Sequence, residues 1–558
     1  MSDRLFVNGK VFTGRGEDDF VTAFRVTDGT FSWVGGRLDE TGQPVEQPVD
    51  NPQAEVIDLA GRTVLPGLLD VHTHPTYMAA HAPETCLLPP GPENIDDIIE
   101  AMRANPALRD EDAGDSGGRE GGEGGEGDHG PTWVAGWGYD EASLAERRQL
   151  TRHDLDKVST TQPVLVRRFC AHSASCNSVA LELAGITRDT PDPAGGAFGR
   201  DDDGELNGML IDIGAVQAVE TARAPMTTER LATELVTEGQ RLASLGLVAV
   251  TDMAATMVAE PLLALRAAAE NGFAQRCNLY LQWSVIGENP PQLSAEDTTG
   301  QIRIAGVKVF VDGVITDRTA WMTRAFRDAP EQFGGAAATD DHLRAALAWA
   351  RENGVQVSAH AMGDAAIAHV IDVFGDEEPW MGELPSVRIE HATVLTEDLT
   401  RRLAEARMSF AVITHSIFYY AEFDSYSKVL TERHLVDTYP LRRLYEKVPL
   451  AALSSDCPAT AMRDSDDVFI SVQAAVDRRD VNGETLGYDQ AITLGQALQL
   501  YTSRAARVSP FDGLGEIDTG KSADFVVLET DPFTTPAPLL GQVKVAQTYI
   551  RGHRVFER

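Results

Sequence analysis

Val64-Leu65-Pro66-Gly67-Leu68-Leu69-Asp70-Val71-His72-Thr73-His74 decides how the rest of the chain is interpreted. It is a short apolar run that ends abruptly in ligand-type polar residues. In a strand, residues two apart point the same way, so His72 and His74 can share one face. Seven further runs have the same strand-like character: GLVAVTD (246–252), NLYLQWS (278–284), GVKVFVDG (306–313), VQVSAH (355–360), SVRIEH (386–391), SFAVIT (409–414) and LAALSSD (450–456). Helix-like segments such as HLRAALAWARENG (342–354) separate most of them. Eight βα units are the count of an α/β (β/α)8 TIM barrel, whose functional residues gather at the strands' C-terminal ends.

Outward from the barrel, residues 1–64 and 505–558 are rich in short strands and Gly/Asp turns, as in RLFVNGKVF, FRVTDGTFSWVGG and GEIDTGKSADFVVLE. They predict one small β-sandwich built from both termini, flanking a barrel over 65–504. The long stretch between the first two barrel strands, 78–230, predicts an inserted subdomain with its own strand QPVLVRRF (162–169). Within it, 109–130 holds eight acidic residues and nine glycines in 22, a composition that cannot repay its ordering entropy and predicts a disordered surface loop.

The 558 residues carry 85 Asp and Glu against 48 Lys and Arg, a formal charge of −37. Nucleic acid and anionic membrane both need a basic face and are excluded as main partners. No run approaches a membrane span, and MSDRLFVNGKVF lacks the layout of a signal peptide. Five cysteines (86, 170, 176, 277, 457) form no CxxC pair, and their odd number argues against a disulfide framework. A cytoplasmic globular protein is expected. Only seven of the basic residues are lysine. A carboxylate-rich, lysine-poor surface resembles those of salt-in halophiles, where molar salt screens self-repulsion.

Four strand ends carry chemistry: His72 and His74 after the first, His360 after the fifth, His391 after the sixth and Asp456 after the eighth. A single strand-end histidine is more often a hydrogen-bonded structural residue. The joint pattern converges on one barrel mouth and suits a borderline metal such as zinc. Lys308 sits inside an apolar strand, where it must lose its charge or find a partner. It can pair with Asp312, or react with carbon dioxide to form an anionic carbamate that bridges two cations.

This set resembles the amidohydrolase superfamily, and more narrowly its amidohydrolase family 3, the YtcJ-like branch that includes N-substituted formamide deformylases. The segments that carry the resemblance include LPGLLDVHTHP (65–75), GWGYDE (136–141), GVKVFVDGVITDRTA (306–320), SAHAMGD (358–364), RIEHA (388–392) and SSDCP (454–458). The resemblance implies two divalent metal ions, zinc by expectation. His72 and His74 would serve one, His360 and His391 the other, carbamylated Lys308 would bridge them, and Asp456 would be a ligand and the catalytic proton carrier. It further implies hydrolysis of a non-peptide C–N bond in a small amide, N-acyl or N-substituted formamide substrate by a metal-bridging hydroxide, and a homodimer. A mononuclear heterocycle deaminase is the alternative enzyme, and an idle amidohydrolase-fold scaffold is the alternative outside enzymes.

Four residues are candidate substrate contacts: His172, Trp137, Asp140 and Arg318. Against these stand an ordinary loop histidine, core packing of Trp137 and a plain salt bridge at Arg318. The family commonly has Gln-Pro where this chain has Thr414-His415. His415 could contact metal or substrate, or be structural.

Overall fold

A computed structural model describes residues 3–36, 54–108, 131–141, 144–169, 173–193, 195–253, 255–460, 462–485 and 487–558. The expected loop 109–130 and His172 lie outside the described residues.

Eight parallel strands form one sheet: β1 (Leu68–Thr73), β2 (Leu247–Asp252), β3 (Arg276–Gln282), β4 (Ile302–Phe310), β5 (Gln356–Ala361), β6 (Val387–His391), β7 (Phe410–Thr414) and β8 (Ala451–Leu453). They lie side by side in chain order, each hydrogen-bonded to the next. At the seam, the chain leaving β8 returns to β1: Asp456 N–H donates to His72 O at 2.8 Å. This is the TIM barrel that the eight-run pattern predicts.

The helices follow from their sequences. Asp340–Asn353 starts at Thr339, whose side chain accepts from His342 N–H, and has Asp340 and Asp341 against the positive end of its dipole. Its buried face is Leu343, Ala346, Leu347 and Ala350, a helical repeat, and Gly354 ends it at φ 64°, a backbone state that favours glycine.

A β-domain accompanies the barrel. Its six-stranded sheet joins strands from both chain ends, with Phe525–Leu528 pairing with both Thr63–Pro66 and Val545–Ile550. A four-stranded sheet holds Asp3–Val7, Ala23–Thr27, Thr30–Gly35 and Glu55–Asp58. Asp28-Gly29, both at positive φ, make the tight turn between the second and third of these. Phe6, Phe24, Phe31, Phe525 and Tyr549 form the shared core, and edge-to-face pairs among such rings contribute about 0.5–1.5 kcal/mol each beyond simple burial.

The chain divides into two compact units. The first holds the barrel and the β-domain; the second is 80–227 with 459–463. The second unit has its own six-stranded sheet, in which Val164–Arg168 lies between Val134–Tyr139 and Ala174–Cys176.

Candidate metal centre

Alternation along β1 aims Asp70 and His72 to the same side. Asp70 is fully buried and accepts from the hydroxyls of Ser454 and Ser455, so it pins the segment after β8 against β1. On β5, Gln356, Ser358 and His360 alternate in the same way, as do Arg388 and Glu390 on β6. Strict alternation would turn His391 away from Glu390's side. The backbone changes course there instead, with φ 70° at His391 and 43° at Ala392, and again at Asp456 with φ 55°. Non-glycine residues in the left-handed region are sparsely populated and concentrate at functional sites.

Five imidazoles gather at this end of the barrel. Ring centroids lie 5.8 Å apart for His72–His74, 5.0 Å for His72–His391, 4.3 Å for His360–His391 and 4.8 Å for His391–His415. Asp456 lies among them, with Oδ1 2.7 Å from His74 Nε2 and 3.2 Å from His72 Nε2, and Oδ2 3.7 Å from His391 Nδ1.

The surroundings set the protonation of these groups. Burial drives the His360 imidazolium down to about 3, with cationic Lys308 adding to the effect, and drives His415 down to about 4. Burial, then the neighbouring His360, holds His391 well below the ordinary histidine value. All three rings are neutral near pH 7, the form in which imidazole ligates a metal. Burial pushes the Asp456 carboxyl up, but His72 and His74 outweigh it and hold the group well below the carboxylate range. Burial brings the Lys308 ammonium down to about 8, against the pull of Glu390 and Asp456. Asp312 is not the partner of this lysine in the described contacts; it accepts backbone N–H groups of Trp321, Met362 and Gly363.

These residues fit a metal. His72 Nδ1 donates to Glu390 Oε2 at 2.7 Å, which leaves the Nε2 lone pair facing a carboxylate oxygen of Asp456. An acceptor facing an acceptor calls for a cation between them, a proton or a metal. His74 Nδ1, His391 Nδ1 and His415 Nε2 are buried without a hydrogen-bond partner among the described residues. Two donor groups, His72–His74–Asp456 and His72–His391–His415, each have ligand atoms within 4.8 Å of one another. Neutral nitrogens with one carboxylate are a borderline-metal donor set.

Sequence comparison gives the centre its context. The model of the amidohydrolase family matches residues 55–556. The chain belongs to the amidohydrolase family. YtcJ of Bacillus subtilis (strain 168) is 27% identical to this amidohydrolase over 99% of both chains. The N-substituted formamide deformylase of Arthrobacter pascens is 26% identical over 100% of this chain and 99% of its own. Among solved structures, an uncharacterized metal-dependent hydrolase from Pyrococcus horikoshii shares the fold, with a TM-score of 0.73 at 23% identity over 96% of this chain and 99% of that one.

The structure brings His72, His74, Lys308, His360, His391 and Asp456 of this amidohydrolase to the same barrel end. Arg318 forms a two-point ion pair with Asp328 in an exposed loop. Trp137 is buried on Val134–Tyr139 of the second unit, and Asp140 follows that strand.

Two site residues escaped the sequence reading. Glu390 is wholly buried and accepts from His72 Nδ1, from Ser358 Oγ at 2.9 Å and from Arg388 Nε at 2.8 Å. Burial pushes its carboxyl up, but Arg388 and then His72 outweigh it and leave the group far below the carboxylate range. Asp70 is the other. The signal was present in both cases: charged residues at alternate positions of an otherwise apolar strand.

Proposed function

We propose that this amidohydrolase cleaves a non-peptide C–N bond in a small amide, N-acyl or N-substituted formamide substrate, using two divalent metals, zinc by preference. The observation that carries the reading is the convergence of four neutral or partner-short imidazoles, Asp456 and buried Lys308 at one end of the barrel. A likeness to a formamide deformylase at 26% identity supports the bond type.

His72, His74 and Asp456 would hold one metal, and His360 and His391 the other, with Lys308 between them. Bound metals supply Lewis acidity towards a carbonyl oxygen and make water acidic enough to act near neutrality. Lys308 contributes through its amine. The unprotonated Nζ adds to the carbon of carbon dioxide, forming an N–C bond and releasing one proton, and the product is a carbamate anion. Burial favours that chemistry because it raises the share of neutral amine.

Asp456 is the proton carrier. Its carboxylate is ionised and buried between His72 and His74, so it can take a proton from the attacking water and pass it to the departing amine. Glu390 holds His72 in one tautomer through Nδ1–H and directs Nε2 towards Asp456. His360 is held similarly: Nε2–H donates to Gly313 O at 3.0 Å, which leaves Nδ1 as its donor atom.

The test is metal content per chain, on protein purified in high salt without chelators or a histidine tag, followed by a screen of N-substituted formamides, N-acyl amines and aminated heterocycles. Two metals per chain and turnover of amides or formamides are expected. One metal with release of ammonia from heterocycles would replace this reading with a deaminase.

A further inference from the structure

The reaction just described leaves one buried group of the site without a task. His415 follows β7 directly and precedes the helix Ser416–Val429. Its side chain is fully buried, yet it does not cap that helix. Its Nδ1 lies 3.0 Å from Ser454 O, and a carbonyl can only accept, so Nδ1 carries the proton. That assignment leaves a lone pair on Nε2. Nε2 is buried and has no hydrogen-bond partner among the described residues. Phe418 packs on the ring at 5.0 Å with 28° between planes, which fixes its orientation. The ring centroid lies 5.2 Å from His72 and 4.8 Å from His391, and donor atoms of the three residues lie within 4.8 Å of one another.

His415 leaves one nitrogen buried and bare, and it shares with His72 and with His391, whose Nδ1 is likewise bare, a group of ligand atoms within 4.8 Å of one another. We infer that His415 is a metal ligand through Nε2, and that with His72 and His391 it forms an all-imidazole cation position beside the His72–His74–Asp456 position.

The inference rests on the metal-dependent reading of this centre and adds a donor from strand seven, which with His72 and His391, assigned above to different metals, makes a position that a cation can take only in place of those assignments. Its chemistry differs from that of the neighbouring position. Three neutral imidazoles leave the full double positive charge on a borderline cation such as zinc or cobalt, whereas Asp456 neutralises part of it. The two positions also compete. Glu390 occupies His72 Nδ1, so His72 has one nitrogen to give, and a single cation can use it at a time. A cation displaced from Asp456 therefore has a second seat on His391 and His415.

The experiment compares wild type, His415→Asn, His415→Gln, Asp456→Asn and the Asp456→Asn/His415→Asn double variant. Each is stripped of metal, titrated with zinc against a chromophoric chelator and with cobalt(II) followed by its visible absorption. Thermal midpoints of the metal-free proteins report folding separately. In the Asp456→Asn background, where the all-imidazole position is the seat left to the displaced cation, loss of His415 is expected to weaken that zinc equivalent at least about tenfold, as removal of a donor should exceed the loss seen for a ligand's supporting partner. The metal-free midpoints of both variants at 415 should stay at the wild-type value, and that of the double variant at the Asp456→Asn value. Asp456→Asn should retain a cobalt band that the double variant loses. A double variant whose zinc titration and cobalt spectrum superimpose on those of Asp456→Asn would overturn the assignment. So would a loss of affinity matched by a metal-free midpoint below that of Asp456→Asn, which would mark a structural histidine. A wild-type chain that takes up no metal refutes the metal-dependent reading itself, and ligation by His415 with it.

Discussion

Replacing Glu390 by Gln keeps the shape of the side chain and removes one negative charge from the barrel interior. The carboxylate has four donors around it: His72 Nδ1, Ser358 Oγ, and Arg388 through Nε and Nη2. Arg388 is itself wholly buried, and its other contacts are neutral oxygens of Tyr280, Ser509 and Val71. The amide therefore leaves a guanidinium buried without an opposite charge, and its NH2 group faces donors. Removing one partner of a buried pair costs about 3–5 kcal/mol, and the weakened bond to His72 falls within that range rather than adding to it. The assay is urea unfolding followed by tryptophan fluorescence, for Glu390→Gln, Arg388→Met and the double variant. Each single change should lower stability by about 4 kcal/mol, and the double variant should fall short of the sum by about 2–3 kcal/mol. Metal affinity should drop about 10–100-fold in Glu390→Gln, because the charged acceptor that orients His72 is replaced by a neutral, weaker one. The sign with pH is fixed by the depressed carboxyl of Glu390. Its stabilisation is present above the ordinary glutamate value of about 4.3 and is lost as pH falls through the lower folded value, so the deficit of the variant should be constant near neutrality and shrink only in acid. A Glu390→Gln protein within about 0.5 kcal/mol of wild type would refute the reasoning.

Three further outcomes are expected. Asp456→Asn should abolish turnover while leaving the far-UV circular dichroism spectrum unchanged; turnover at the wild-type rate would remove Asp456 as proton carrier. Metal-free protein given zinc should regain activity faster with added bicarbonate, and the rate should climb as pH rises through about 8, where Lys308 sheds its proton; Lys308→Met should show no bicarbonate dependence at any pH. The charge of −37 predicts that the thermal midpoint rises as KCl goes from about 0.1 M to about 1 M, where the Debye length shrinks from about 10 Å to about 3 Å. A midpoint independent of salt would show that self-repulsion is not a material term for this fold.

The barrel was legible because each of its strands is an apolar run with polar residues at the end that faces the site. The run at 355–360 became Gln356–Ala361, and that at 409–414 became Phe410–Thr414. Local pattern suffices there, since period-two alternation and flanking turns decide the element. Residues at strand ends, such as His72 and His360, were legible for the same reason. Glu390 and Asp70 stood out as charged residues in apolar strands, but their roles were not legible, because nothing local names the partners they meet in the core. The partners of Asp70 are Ser454 and Ser455, more than 380 positions along the chain. His415 was visible as a departure from a family pattern, but its bare Nε2 depends on a hydrogen bond to Ser454 that no spacing encodes. The six-stranded sheet of the second unit showed only its Val164–Arg168 strand in advance; its edge strand Thr85–Cys86 and its interior strand Ala174–Cys176 are only two and three residues long.

The seam between β1 and β8 has a temporal meaning. His72 and Asp456 lie 384 residues apart and meet only when the last strand docks against the first. At about 5–20 residues per second, a ribosome takes roughly 20–80 s to travel from one to the other. Throughout that interval the newborn chain displays His72 and His74 without the carboxylate that completes their group. On the function proposed above, metal capture at that group would be a late event of biogenesis, and a chain truncated before Asp456 would never complete it. Closure of the His72–His74–Asp456 group certifies that translation reached the eighth strand and that the circle closed.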